Sequence, residues 1–216
     1  MVSKKQKVIG SSTIVDDGTK SRIVSAATEL FATKGYDSTS VKDICSKAKV
    51  NIAAIHYYFG SKEKLYKQLI QTFGGSRVAS VQSILVAPSS AEELRIRLEM
   101  FLTESLDACT QQTSLCRIVQ MEIELLHSRS EDVFRNTFIK LSETLVSFLT
   151  HAKKKNLIAK NVDIRIAAHF LFNQLRQATR ADAVNYKYFG FSIRDRAFCE
   201  LLIKQTVQIF LNGISS

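Results

Sequence analysis

Residues 39–64 read TSVKDICSKAKVNIAAIHYYFGSKEK, and the spacing of caps and apolar side chains predicts two short helices, a tight turn and the start of a third helix. Ser40, followed three residues on by Asp43, makes an S-x-x-D capping pattern at the first helix's N-terminus. Val41, Ile44 and Ala48 then share one face of that helix. Lys49 and Val50 make the turn and Asn51 is placed to cap the second helix, whose Ile55 and Phe59 lie four apart and so point inward together. Gly60 suits the stop, because glycine enters the left-handed αL region without a Cβ clash. Ser61 caps the next helix, which begins Lys62-Glu63-Lys64-Leu65. This geometry leaves Ile52, Ala53, His56 and Tyr57 facing outward.

A solvated helix face ordinarily carries Lys and Glu, whereas this one carries small and aromatic side chains, which suits contact with another molecule. Ala53 and Ala54 let a helix backbone approach base edges closely, Ile52 can touch a thymine methyl, and His56 and Tyr57 can hydrogen-bond bases or phosphates. Lys62, beside a helix N-terminus, is expected to add an anion site. The run VNIAAIHYYFGSKEKL at 50–65 resembles the helix-turn-helix and following helix of TetR/AcrR-type bacterial repressors. The preceding stretch agrees: Arg22-Ile23, Ala26, Ala27, Leu30 and Phe31 form an amphipathic stripe stopped by Gly35 and followed by Tyr36, like the family's first helix. The resemblance covers about residues 17–77 and implies a DNA-binding domain there, with its helix-turn-helix at 40–59. It implies DNA contacts from Thr39, Ser40, Lys42, Asn51, Ile52, Ala53, Ala54, His56, Tyr57, Tyr58 and Lys62. His56 stands where the family usually has Tyr, and Ile52 where it often has Lys or Arg, so base preference does not carry over.

Composition points the same way. With 216 residues, 45% of them hydrophobic, the chain can bury a sizeable core. One proline, eight glycines and long helix-period apolar runs predict an all-α fold. The formal charge of +10 is concentrated, per residue, in the first third. Cys45, Cys109, Cys116 and Cys199 show no C-x-x-C spacing and no paired histidines, so no metal site and no cofactor are expected, and all four are expected as reduced, mostly buried thiols. Residues 1–16 are polar and capless and are expected to be a flexible arm. No run reaches the ~18 apolar residues of a membrane span, and the N-terminus has no apolar leader core, so the expectation is a cytoplasmic protein with no membrane partner. No G-x-S-x-G, P-loop or H-E-x-x-H pattern occurs, and an enzyme is not expected.

Beyond Gly74-Gly75 the chain changes character, and residues 78–216 are expected to form a larger helical bundle for ligand sensing and dimerisation, with a break near Val86-Ala87-Pro88-Ser89-Ser90 before its long helices. Its buried stripes are Leu94, Leu98, Phe101, Leu102 and Leu106; then Leu115, Ile118, Val119 and Leu126; then Val133, Phe134, Phe138, Leu141, Leu145, Phe148 and Leu149, closed by Lys153-Lys154-Lys155. Two last helices, about 163–178 and 192–212, carry more apolar surface than one stripe needs. Ile164, Ala168, Leu171, Leu175, Phe198, Leu202, Val207, Ile209 and Phe210 are therefore candidates for a homodimer interface, which the family resemblance also implies as a four-helix bundle. Candidate ligand contacts are Phe101, Met121, His127, His169, Phe170, Asn173 and Arg176, for a small-molecule effector of unknown identity. Together these features predict a dimeric, ligand-responsive regulator of a palindromic operator in double-stranded DNA. A sequence-independent DNA-binding protein, or a helical interaction module without an inducer, is the alternative.

Overall fold

The computed structural model describes residues 16–125 and 130–214, and every regular element among them is helical. The order is α1 (Asp16–Lys34), α2 (Val41–Ala48), α3 (Ile52–Phe59), α4 (Lys62–Ile84), α5 (Ala91–Gln111), α6 (Thr113–Leu125), α7 (Glu131–Phe134), a π-helical turn (Arg135–Ile139), α8 (Lys140–Lys154), α9 (Ile164–Arg180), α10 (Asp182–Phe189) and α11 (Arg196–Ile214). Residues 1–15 of the expected arm, Leu126 and His127 lie outside the described residues. No described helix is long and apolar enough to cross a membrane. Two compact units divide at Tyr66 and Lys67, inside α4.

In the first unit, Ile23, Ala27 and Phe31 of α1, Ile44 of α2, Ile55 of α3 and Leu65 of α4 are fully or almost fully buried. Each large one contributes about 1.5–3 kcal/mol by leaving water. Phe31, Tyr36 and Tyr66 form an aromatic cluster, the Phe31–Tyr66 rings meeting edge to face at 5.0 Å and Tyr36–Tyr66 at 4.8 Å. Gly35 ends α1 at φ 80°, a backbone region that side chains disfavour, and its N–H donates to the Phe31 carbonyl at 3.0 Å.

In the second unit, the α5 stripe is buried as its spacing predicts: Leu94, Leu98, Phe101, Leu102 and Leu106 are all inside, packed with Leu145, Phe148 and Leu149 of α8. The near-heptad run before α8 is interrupted by the π turn, which was not expected. The turn adds a residue to one helical cycle and carries Thr137 inward, where its hydroxyl donates to the Val133 carbonyl at 2.7 Å. Gly74 of α4 faces Thr137 so closely that a Cβ there would stand 2.5 Å from the Thr137 Cβ. Helix α4 runs unbroken through the Gly74-Gly75 pair, where Gly74 serves a close approach to the π turn.

The C-terminal reading needs three corrections. The segment expected to link the last two helices contains a third, α10, capped by Gly190 at φ 75° and burying none of its residues. Among the expected interface residues, Ala168, Leu171, Val207 and Phe210 belong to the unit's own core. Ile164, Leu175, Phe198 and Leu202 are half-buried, and Ile209 is 64% exposed. The outward apolar face of α9 and α11 instead presents Ile166, Phe170 and Leu201 beside Ile209. Finally, Cys109 and Cys116 are joined as a disulfide, contrary to the expectation of four thiols, while Cys45 and Cys199 are free and buried. Only Gln112 separates α5 from α6, and that short connection brings two cysteines without any motif spacing face to face. Burial pushes the Cys45 and Cys199 thiols above the usual range.

Candidate nucleic-acid interface and ligand cavity

The two short helices of the first unit are fixed at their ends by side chains that the sequence places there. Ser40 Oγ accepts from the Asp43 N–H at 3.1 Å while the Ser40 N–H donates to Asp43 Oδ2 at 2.9 Å, a complete capping box. The Ser40 N–H and hydroxyl hold the Asp43 carboxyl below its ordinary pKa. Lys49 takes the left-handed conformation at φ 55° and ψ 50° between the helices. Asn51 caps α3, accepting the Ala54 N–H at 2.9 Å. Gly60 ends α3 at a positive φ of 77°, but its ψ of −45° lies outside the αL region expected for it.

With Ile55 and Phe59 buried, α3 presents Ile52, Ala53, His56 and Tyr57 outward, and Tyr57 is 79% exposed. Ala54 and Tyr58 are half-buried at the edges of that face, and the Tyr57 and Tyr58 rings meet edge to face at 5.0 Å. His56 Nδ1 lies 3.0 Å from the Gly60 carbonyl oxygen, which can only accept. Nδ1 therefore carries the hydrogen, and in the neutral ring Nε2 remains an outward acceptor. Ser40, Lys42 and Asn51 are exposed around the same two helices.

Two residues expected at this face are turned to structural work. Thr39 is 0% exposed, and its hydroxyl donates to the Gly35 carbonyl at 2.8 Å. The Lys62 ammonium donates to the Tyr36 carbonyl at 3.0 Å and the Thr39 carbonyl at 2.9 Å, and stands 4.0 Å from the Tyr36 ring centre. It thus ties the α1–α2 connection to the first turn of α4 rather than forming the expected anion site. The sequence could not reveal this, because carbonyls exposed by a connection are invisible until the chain folds over them.

The second unit holds a cavity of about 580 Å³ walled by α4, α5, α6, the π turn, α8 and α9. Phe73, Val81, Phe101, Phe138, Leu141 and Phe172 make it mainly apolar, and Arg77, Gln120, His169 and Arg176 interrupt the walls. Of the expected ligand contacts, Phe101, His169 and Arg176 line it. Met121 instead lines a neighbouring, more polar cavity of about 440 Å³, with Arg117, Glu124, Arg180 and Asp182. Phe170 points away, half-exposed on the α9–α11 face and stacked on Phe210 at 6.2 Å, and Asn173 lines neither cavity. Arg77 was missed. Its Nη1 pairs with Glu104 at 3.1 Å, and its buried Nε has no hydrogen-bond acceptor. Its signal was a cation placed midway between Phe73 and Val81 on one helical face. Among the described residues, no three His, Cys, Asp or Glu side chains gather where they could hold a metal.

The family model for bacterial regulatory proteins of the tetR family matches residues 23–69. The chain is 24% identical over 200 residues to the transcriptional repressor KstR2 of Rhodococcus jostii (strain RHA1), covering 92% of each. Among solved structures, it resembles the ketosteroid transcriptional regulator KstR2 of Mycobacterium tuberculosis with a TM-score of 0.72 at 18% identity, over 97% of this chain and 100% of that one. It also resembles the fatty acid degradation regulator FadR of Bacillus halodurans, with a TM-score of 0.69 at 20% identity over 90% and 95% of the two chains. A capped helix-turn-helix where the family model matches, and a likeness that runs the length of the chain, lead to one statement: residues 23–69 carry the helix-turn-helix segment of the tetR family of bacterial regulatory proteins, and the whole chain is similar in fold to regulators of that kind.

Proposed function

We propose that this protein is a cytoplasmic, dimeric transcriptional repressor that grips a two-fold symmetric operator through α3 and leaves it when a small effector fills the α4–α9 cavity. The outward face of α3 carries the reading. Ile52, Ala53, His56 and Tyr57 stand exposed on a helix whose ends are tied by Asn51 and Gly60, so their positions relative to a major groove are preset. Ser40 and Lys42 at the start of α2 are assigned to the flanking phosphates. Pairing of two copies through Ile166, Phe170 and Ile209 would present two recognition helices, and a separation of about 34 Å matches successive major grooves on one side of a duplex.

For the effector, the cavity walls favour an apolar body with a polar or acidic group within reach of Arg77, His169 or Arg176. Relatives named for ketosteroid and fatty acid regulation are in keeping with that chemistry. Helix α4 begins in the first unit at Lys62 and lends Phe73, Arg77 and Val81 to the cavity, so a ligand that displaces those residues acts on the helix that follows α3 directly. By linkage, an effector that weakens operator binding must itself bind less tightly to the operator complex, by the same factor.

Selection of bound duplexes from a random pool at physiological salt tests the proposal. Enrichment of a two-fold symmetric motif is the expected result. Binding without enrichment would instead support sequence-independent association and overturn the operator reading.

A further inference from the structure

We infer that Cys109 and Cys116 form a reversible oxidation site that sets the effector affinity of the cavity; the inference rests on the reading of that cavity as the effector site and of the protein as cytoplasmic. The two Cα atoms stand 5.2 Å apart across the single-residue α5–α6 connection, within the span a disulfide bridges without backbone movement. In a cytosol whose thiol pool keeps ordinary cysteines reduced, such a bond is transient and reports oxidant.

Placement gives the pair its consequence. Both sulfurs belong to the walls of both cavities, the apolar one and the polar one. Gln120, one turn beyond Cys116, has its Nε2 3.6 Å from Cys116 Sγ and donates from the same nitrogen to Thr179 Oγ1 of α9 at 2.7 Å. The Thr179 hydroxyl in turn lies 3.0 Å from the carbonyl of Arg176, itself a wall residue of the apolar cavity. The sulfurs are thus joined to α9 by a short polar chain. A disulfide holds two sulfurs about 2 Å apart, whereas non-bonded atoms settle near 4 Å. Cys116 is only 7% exposed, so when the bond opens its released sulfur repacks against the cavity wall and Gln120 rather than in solvent.

Access and chemistry are in keeping with this role. Cys109 is the more open of the two and is the group an oxidant reaches first. Around the polar cavity beside it Arg180 and Arg194 pair with Glu124 and Asp182, and the reactive form of a reduced Cys109 is its thiolate. That thiolate attacks one oxygen of hydrogen peroxide, the O–O bond breaks, and Cys109 becomes a sulfenic acid with loss of one water once the leaving hydroxide is protonated. The Cys116 thiol then attacks that sulfur: an S–S bond forms, the S–O bond breaks and a second water carries off the thiol proton. Two thiols and one peroxide give one disulfide and two waters, and a dithiol reductant reverses the step by exchange.

The test uses the full-length protein and N-phenyl-1-naphthylamine, an uncharged fluorophore, as cavity probe. Peroxide treatment of reduced protein, followed by alkylation and peptide mass analysis, is expected to yield the linked Cys109 and Cys116 peptides while Cys45 and Cys199 stay alkylatable. Probe affinity is expected to be about fivefold or more higher in the oxidised form, the lower end of ordinary allosteric coupling, and Cys116→Ser is expected to abolish the difference. No linked peptide, or equal affinity in the two forms of the wild-type protein, would overturn the inference while leaving the effector cavity standing. Probe binding in neither form would overturn the cavity reading and the inference with it.

Discussion

Two adjacent glycines in α4 should respond in opposite directions to the same substitution. In a helix interior, Gly→Ala is ordinarily worth up to about 1 kcal/mol, through helix propensity and a less free unfolded chain. Gly75 is exposed and a Cβ there meets nothing within 4 Å, so Gly75→Ala should stabilise by about 0.5–1 kcal/mol. At Gly74 the same methyl would lie 2.5 Å from Thr137 Cβ, 2.7 Å from Cγ2 and 3.0 Å from Oγ1. Restoring ordinary contact needs roughly 1 Å of separation. Thr137 cannot swing away, since it is 3% exposed and hydrogen-bonded into the π turn, so backbone must move. Overpacking of this kind costs about 1–3 kcal/mol, which outweighs the propensity gain and leaves Gly74→Ala destabilised by about 1–2 kcal/mol. Thermal unfolding of both variants beside the parent reads the difference, because about 1 kcal/mol moves the midpoint by about 2–4 °C in a chain of this size. Midpoints shifted the same way would show that α4 does not pack on the π turn at Gly74.

Three further outcomes test the site assignments. Lys62→Ala should destabilise the first unit by about 1–3 kcal/mol, through two orphaned carbonyls, while leaving the salt dependence of DNA binding unchanged; a salt slope reduced by about one contact would restore Lys62 as a phosphate ligand. Tyr57→Ala should leave stability intact and change base preference at one position in each half-site, by about 1–3 kcal/mol of discrimination; uniform, sequence-blind weakening would contradict its groove assignment. Ile209→Asp places a charge on the exposed α9–α11 face, and sedimentation should show a shift from dimer to monomer without loss of helicity; an unchanged dimer would move the interface elsewhere.

The helix-turn-helix region was the most legible part of this chain, because its signals are local. Capping by Ser40 and Asn51, the turn at Lys49 and the inward pair Ile55 and Phe59 each depend on neighbours within four residues, so spacing alone specifies them. The exposed set Ile52, Ala53, His56 and Tyr57 follows from the same periodicity. What the sequence left undecided is what a side chain meets across the fold. An apolar stripe on α9 or α11 says that a residue leaves water, but not whether its own core or another copy covers it: Leu171 and Phe210 went to the core, Ile166 and Ile209 to the surface. Thr39 and Lys62 read as ligand-facing until the α1–α2 connection supplied the carbonyls that occupy them. The cavity, Arg77 within it and the meeting of Cys109 with Cys116 likewise exist only where separate helices converge. Local hydrogen bonding and helical periodicity therefore determined the elements and the outward face of α3, whereas packing between elements distant in the chain decided which polar groups remain available to bind.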